Sequence, residues 1–208
     1  MSRKIFILGI AGASGSGKTY LSNMLHEKLG QEDSVILAVD SYYRQQEVPF
    51  EIREKTNYDH PDSLELGLLA TQLAELRAGK TIKVPVYDYS IHNRSGEFEE
   101  VEPKKCIIVE GILTFHLPEV RALLDYTIFV QTPLEECFTR RMSRDTVERG
   151  RTKESVNSQW NATVLPMFKE YCEPTSQYAD VVCRGDFSYS DLIDQLTQMI
   201  AGKSAEFE

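Results

Sequence analysis

The 208-residue chain is short of the residues that staple, anchor or steer a protein from outside its core. It has four cysteines, Cys106, Cys137, Cys172 and Cys183, with no CxxC pair and no histidine at ligand spacing from them. That excludes a disulfide framework and a structural zinc site. Cys106 and Cys183 lie in apolar runs and read as small buried hydrophobes, which suits a reducing compartment. No apolar stretch approaches the roughly 18 residues that a membrane helix needs. The apolar start runs into a Gly/Ser-rich segment with a structural job of its own, so an export signal is not expected and the protein reads as cytoplasmic. Basic residues are also outnumbered, 23 Lys and Arg against 32 Asp and Glu, for a net charge of −9. Such a chain has no global field to attract nucleic acid or an anionic membrane. An anionic ligand would need a local cluster of donors. Repeats, low-complexity tracts and linkers are absent too, so residues 1–208 read as one domain.

Four continuous apolar runs are present, Ile5–Ile10, Val35–Val39, Cys106–Val109 and Tyr126–Val130, with a weaker fifth at Ala179–Cys183. Runs that do not alternate suit parallel strands covered on both faces. Helical stripes lie between them: Leu21, Met24, Leu25 and Leu29; Leu66, Leu69, Leu73 and Leu76, with Gly79 as a stop; and Leu192, Leu196, Met199 and Ile200. Strands alternating with helices predict an α/β fold with a doubly wound parallel sheet of about five strands. Residues 82–103 break the rhythm and read as an inserted β-hairpin, with its turn around Asn93–Gly96. Tyr87 and Tyr89 are expected on opposite faces of that hairpin. Residues 140–155 are dense in arginine.

Gly12-Ala13-Ser14-Gly15-Ser16-Gly17-Lys18-Thr19 matches GxxxxGK[ST] between a predicted strand and a predicted helix. Glycines let successive backbone N–H groups point at phosphate oxygens, and the helix start adds its free N–H groups and positive dipole end. Lys18 then reaches the outer phosphates and the Thr19 hydroxyl can ligate Mg²⁺. A chance Gly/Ser turn would lack both the strand before it and the helix after it. Asp40 and Glu110 each follow an apolar strand, at the sheet edge where ligands of open α/β sheets bind. Asp40 reads as catalytic base and Mg²⁺-site member, Glu110 as a Mg²⁺-site group acting through water. Arg140, Arg141 and Arg144 are expected on one helical face, with Arg149 and Arg151 around Gly150. Arginines there can close over a moving phosphoryl group as a lid. The bland alternative is a solvated face whose arginines pair with Asp145 and Glu148. Together these features predict a P-loop kinase that uses a nucleoside triphosphate.

The ordered set of motifs resembles the uridine kinase (uridine–cytidine kinase) family. The resemblance rests on Gly12–Thr19, Asp40-Ser-Tyr-Tyr-Arg44, Asn57-Tyr-Asp-His-Pro-Asp62, Pro85-Val-Tyr-Asp-Tyr89 with His92 and Arg94, and Glu110-Gly-Ile-Leu113. It continues through Arg140-Arg-Met-Ser-Arg-Asp145, Glu148-Arg-Gly-Arg151 and Tyr178-Ala-Asp180, and so covers nearly the whole chain. It implies ATP or GTP as donor with Mg²⁺, and a pyrimidine nucleoside acceptor. It implies that Asp40 activates the 5′-hydroxyl and that Asp59 takes the ribose hydroxyls with Arg151 nearby. Tyr87 and His92 would meet the pyrimidine edge, Tyr58 would help enclose the ring and Tyr43 would border the site. Arg141 and Gln159 would complete the pocket, with Lys18, Arg144 and Arg149 facing the phosphates. A homotetramer with feedback inhibition by CTP or UTP is implied as well.

Two departures stand out. Cys183 precedes Arg184-Gly185 where the family pattern has a proline, which leaves the donor base open. Trp160 stands where a smaller aromatic is common, and reads as a packing change. A phosphoribulokinase-like or pantothenate-kinase-like enzyme is the nearest alternative; the hairpin and Asn57–Asp62 favour the nucleoside. A non-catalytic nucleotide switch is a further one, but the chain lacks the Asn-Lys-x-Asp and Leu-Ser-Gly-Gly motifs of such modules.

Overall fold

The computed structural model describes residues 5–185 and 189–205. In chain order its elements are β1 Phe6–Gly12, α1 Lys18–Leu29, β2 Ser34–Ala38, α2 Phe50–Arg53, α3 Leu66–Arg77, β3 Ile82–Asp88, β4 Asn93–Val101, β5 Cys106–Glu110, α4 Pro118–Arg121, β6 Tyr126–Gln131, α5 Leu134–Val147, α6 Lys153–Gln159, α7 Leu165–Met167, β7 Val181–Arg184 and α8 Ser190–Ala205. Residues 1–4, which open the apolar start, lie outside the described residues.

Five strands pair in the order β2-β5-β1-β6-β7, and every pairing is parallel. All five expected strands are therefore present. The apolar runs are continuous because both faces are covered. Ile7, Ile107, Leu37 and Val109 pack on one side with Leu66, Leu69, Leu73 and Leu76 of α3. Leu8, Ile10, Ile108 and Ile128 pack on the other with Leu21 and Leu25 of α1 and with Ile193, Leu196 and Ile200 of α8. Leu69, Leu73 and Leu76 are 0% exposed; truncating one to alanine would cost about 2–5 kcal/mol.

The strands β3 and β4 form a separate antiparallel hairpin. Its turn falls at residues 89–92, earlier than the expected Asn93–Gly96. Asp88 stops the strand, since its Oδ1 accepts from both the backbone N–H and the hydroxyl of Ser90. His92 then takes a left-handed conformation at φ 49°, unusual for a residue with a side chain. Asn93–Gly96 lie inside β4, opposite a register shift between Pro85 and Tyr87.

The hairpin is tied to the body by side chains rather than by the main sheet. Arg94 donates from Nε to the Tyr43 carbonyl at 2.8 Å and from Nη2 to Glu65 Oε2 at 2.7 Å. Asn93 and Gln46 exchange a reciprocal pair of hydrogen bonds at 2.8 and 2.9 Å. On the far side, α7 lies between two π-helical stretches, Trp160–Val164 and Phe168–Cys172. Pro166 sits between them and has no N–H for an α-helical bond. Trp160 is buried against Phe138 with ring centres 5.3 Å apart, the packing role expected of it.

Candidate active site

The central strand β1 opens into residues 12–19 between two neighbours, β5 and β6, that the chain enters from opposite directions. That switch point is where an open sheet leaves a crevice beyond its strand ends. Gly15 has φ +83°, and a β-carbon there would run into the Cys137 carbonyl oxygen. Gly17 caps α1 at φ 101° with no side-chain cap. The first N–H groups of that helix are thus left for an anion. The Ser16 N–H bonds the Ala13 carbonyl at 3.0 Å, and the Thr132 hydroxyl donates to the Ser16 carbonyl at 2.8 Å, so the loop is braced from behind. Lys18 begins α1 and forms no ion pair among the described residues.

Two carboxylates flank the loop. Glu110 is the last residue of β5, and its Oε1 accepts from the Thr19 hydroxyl at 3.2 Å. Its Oε2 is buried with no hydrogen-bond partner. Burial pushes the Glu110 carboxyl above its ordinary value; the Lys18 charge opposes this and Asp40 adds to it. A buried carboxylate with an orphaned oxygen, beside a hydroxyl and a second acid, is a donor set that fits a hard cation such as Mg²⁺. Asp40 is not the end of β2 itself. It lies in the 3-10 turn Val39–Tyr42 that follows.

The aromatic residues expected around a base converge from three segments. Ring centres are 5.1 Å apart for Tyr43 and Tyr58, 4.9 Å for Tyr43 and Tyr87, and 5.7 Å for Tyr58 and His92, the last pair stacked. The Tyr58 hydroxyl donates to the His92 carbonyl at 3.0 Å, which helps fix the turn. Burial, followed by the charge of Arg151, holds the His92 imidazole below its ordinary value, so it is kept neutral. Asp59 is 7% exposed and accepts from Thr163 at 3.3 Å. Burial raises its carboxyl, against the opposing charge of Arg141.

Tyr89 was not singled out by the sequence, and it is central. Its hydroxyl donates to Asp40 Oδ2 at 3.1 Å, and its ring carries the Arg149 guanidinium at 4.5 Å from the centroid. It also contacts Tyr87, with ring centres 5.2 Å apart. The expectation of opposite faces fails because strand side chains alternate with period two, so residues two apart share a face; Tyr89, one residue past β3, still lies against Tyr87. The sequence signal that could have found it is that two-residue spacing from Tyr87.

The arginines divide. Arg141 donates to Ser14 Oγ of the loop and to Gln159 Oε1, both at 2.8 Å. Arg151 reaches the same Gln159 oxygen at 2.5 Å. Arg144 grips Asp145 through Nε at 2.9 Å and Nη2 at 2.8 Å. Arg140 has other partners: it turns to the Gly185 carbonyl at 3.1 Å and to Glu136, one turn earlier on the same helix. Residues 140–155 are also only partly helical, since Arg149 and Arg151 lie between α5 and α6, around Gly150 at φ 63°.

A glycine-rich loop at the switch point of a parallel sheet, flanked by an orphaned carboxylate and roofed by arginines, defines the frame of a P-loop kinase. A family model for the phosphoribulokinase/uridine kinase family matches residues 7–185. The chain belongs to that family. It is 46% identical over 186 residues to a uridine kinase of Shewanella amazonensis, covering 87% of this chain and 88% of that one. It is 48% identical over 180 residues to a uridine kinase of Ligilactobacillus salivarius, covering 86% and 84%. Among solved structures, phosphoribulokinase from Rhodobacter spheroides superposes with a TM-score of 0.65 at 14% identity, covering 88% of this chain and 71% of that chain. D-glycerate 3-kinase from Cryptococcus neoformans superposes with a TM-score of 0.62 at 19% identity, covering 83% and 80%. At such identities the structures speak for the fold alone. No helix of the described residues is long and apolar enough to cross a membrane.

Proposed function

We propose that the chain is a nucleoside kinase that transfers the γ-phosphoryl group of ATP or GTP to the 5′-hydroxyl of uridine and cytidine, giving UMP and CMP. The observation that carries this reading is the aromatic cluster of Tyr43, Tyr58, Tyr87 and His92, joined to Asp40 through Tyr89. A flat base needs ring faces to lie on and a few polar edges to read it. The names of the relatives point the same way.

In this reading Asp40 accepts the proton of the 5′-hydroxyl. The 5′-oxygen then bonds to the γ-phosphorus, and the bond from that phosphorus to the β–γ bridging oxygen breaks, releasing the nucleoside diphosphate. Tyr89 holds one oxygen of Asp40 and leaves the other for the acceptor. The N–H groups of residues 12–19 and Lys18 bind the phosphates, and Arg144 and Arg149 balance the charge that spreads over the moving group. Asp59, with Arg141, Arg151 and Gln159, orients the ribose. Thr19, Asp40 and Glu110 would hold Mg²⁺, which supplies charge neutralisation on the outer phosphates when bound. The same family reading carries one domain over 1–208, a cytoplasmic homotetramer and inhibition by CTP or UTP.

The test is a matrix of nucleosides against triphosphate donors, read as nucleoside monophosphate formed. Uridine and cytidine should dominate the acceptor axis. Turnover with ribulose 5-phosphate or pantothenate but not with these nucleosides would overturn the reading. Triphosphate hydrolysis indifferent to any acceptor would point to a switch module.

A further inference from the structure

The lid contains a carboxylate that the proposed chemistry does not use. Asp145, on α5, is 0% exposed. Arg144 holds its Oδ1 from two nitrogens, at 2.9 and 2.8 Å. Arg149 Nη1 lies 3.5 Å from the same oxygen, and Arg141 Nε and Arg151 Nη1 each lie 3.5 Å from Oδ2. The backbone also closes on this point, with the Arg151 N–H donating to the Asp145 carbonyl at 3.0 Å. Four guanidinium groups thus meet one carboxylate, three more positive charges than Asp145 can balance (4 − 1 = 3), with Asp59 the one further acid that faces Arg141.

Such a cluster is not built for stability. Four like charges within a few ångströms repel strongly where water is scarce. A buried carboxylate is costly unless fully bonded, and here Oδ2 and Arg141 Nε have no hydrogen-bond partner. The groups reach outward instead. Arg141 bonds Ser14 of the phosphate loop, and Arg149 lies over Tyr89, whose hydroxyl is on Asp40. Asp145 is therefore the node through which the lid, the loop and the base are held in register.

We propose that Asp145 is a positioning residue: its buried carboxylate is the counter-ion that keeps Arg141, Arg144, Arg149 and Arg151 in one array before the phosphoryl group arrives. It stands in for the anion that the array is made to meet. The surplus positive charge is what the transferring group neutralises. This rests on the reading of Arg144 and Arg149 as phosphate-facing.

The experiment is a double-mutant cycle on the full chain, with folding checked by circular dichroism. Asp145→Asn should lower kcat about 100-fold, the scale of losing a preorganised charge contact. The nucleoside KM should rise by about tenfold at most, well short of the fall in kcat, because Arg141 and Arg151 also serve the ribose side. Arg149→Met should show a loss of similar size, and the double variant should be at most about threefold worse than the poorer single, because both remove one unit. Losses that multiply, or near wild-type kcat in Asp145→Asn, would overturn the proposal. Wild-type kcat in both Arg149→Met and Arg144→Met would instead remove the lid reading beneath it. If Asp145→Asn does not fold, Asp145→Glu decides. It keeps the charge and moves it by one methylene, so a drop of at least about tenfold in kcat, larger than any rise in the nucleoside KM, supports positioning, and an unchanged kcat refutes it.

Discussion

The two halves of the site are built from different materials. The phosphate side is backbone: a loop of consecutive residues, braced by Thr132 and by its own turn, with φ values only glycine tolerates at Gly15 and Gly17. The side proposed for the acceptor is side chains: rings of Tyr43, Tyr58, Tyr87, Tyr89 and His92, from three segments, meeting across a hairpin that shares no strand with the main sheet. Phosphate is a common feature of every triphosphate, so a rigid backbone cradle serves it. A particular nucleoside must be read by side chains, which can be exchanged without rebuilding the fold.

The largest expected effect falls where the halves meet. Asp40→Asn should cut kcat by about 10³-fold or more while the triphosphate binds as before, measured by turnover and calorimetry. Near wild-type turnover would remove Asp40 as the base. Next comes the backbone half. Gly15→Ala should weaken triphosphate binding by about 100-fold and lower the melting temperature together, because a β-carbon cannot be placed without moving the Cys137 carbonyl. Unchanged affinity would mean that the loop is not rigid.

Glu110→Gln should split activity from stability. Burial raises the Glu110 carboxyl, so folding favours its protonated form and ionising it costs stability. That cost sets in as the pH rises from the ordinary glutamate range through the raised value, and it persists above. The substitution should therefore raise the melting temperature of the nucleotide-free protein by about 2–4 °C near neutrality. The gain should vanish below the ordinary glutamate range. Mg²⁺-dependent kcat should meanwhile fall about 30-fold. A lower melting temperature at neutrality would show that the charge is better compensated than its orphaned oxygen implies. The smallest effect belongs to the side-chain half. His92→Ala should raise the nucleoside KM about tenfold and leave the triphosphate KM alone. Equal shifts in both would mean that the halves are not separable.

How much of this could be read in advance follows the same division. Residues 12–19 were legible because a backbone site is contiguous, and its glycines report their own conformations. The sheet was legible because strands covered on both faces leave unbroken apolar runs. Asp40 and Glu110 were legible as the first polar residues after such runs. Tyr89 was not, because only the fold brings its hydroxyl to Asp40 and its ring under Arg149, residues 49 and 60 positions away. Arg140 was grouped with Arg141 and Arg144 by spacing, yet its partners, the Gly185 carbonyl and Glu136, are decided by what packs beside α5. Asp145 was visible only as a bland pairing partner. Its complete burial among four guanidinium groups depends on α5, α6 and the segment between them folding together.

By itself the sequence determined the parallel frame and the phosphate loop and pointed to Asp40 and Glu110 as acids after apolar runs, since each depends on spacing along one stretch of chain. Only the tertiary structure decided which rings gather beside Asp40 and which arginines close on Asp145. The first grouping draws on residues between Asp40 and His92 and the second on residues between Arg141 and Arg151, and position in the chain carries no record of direction in space.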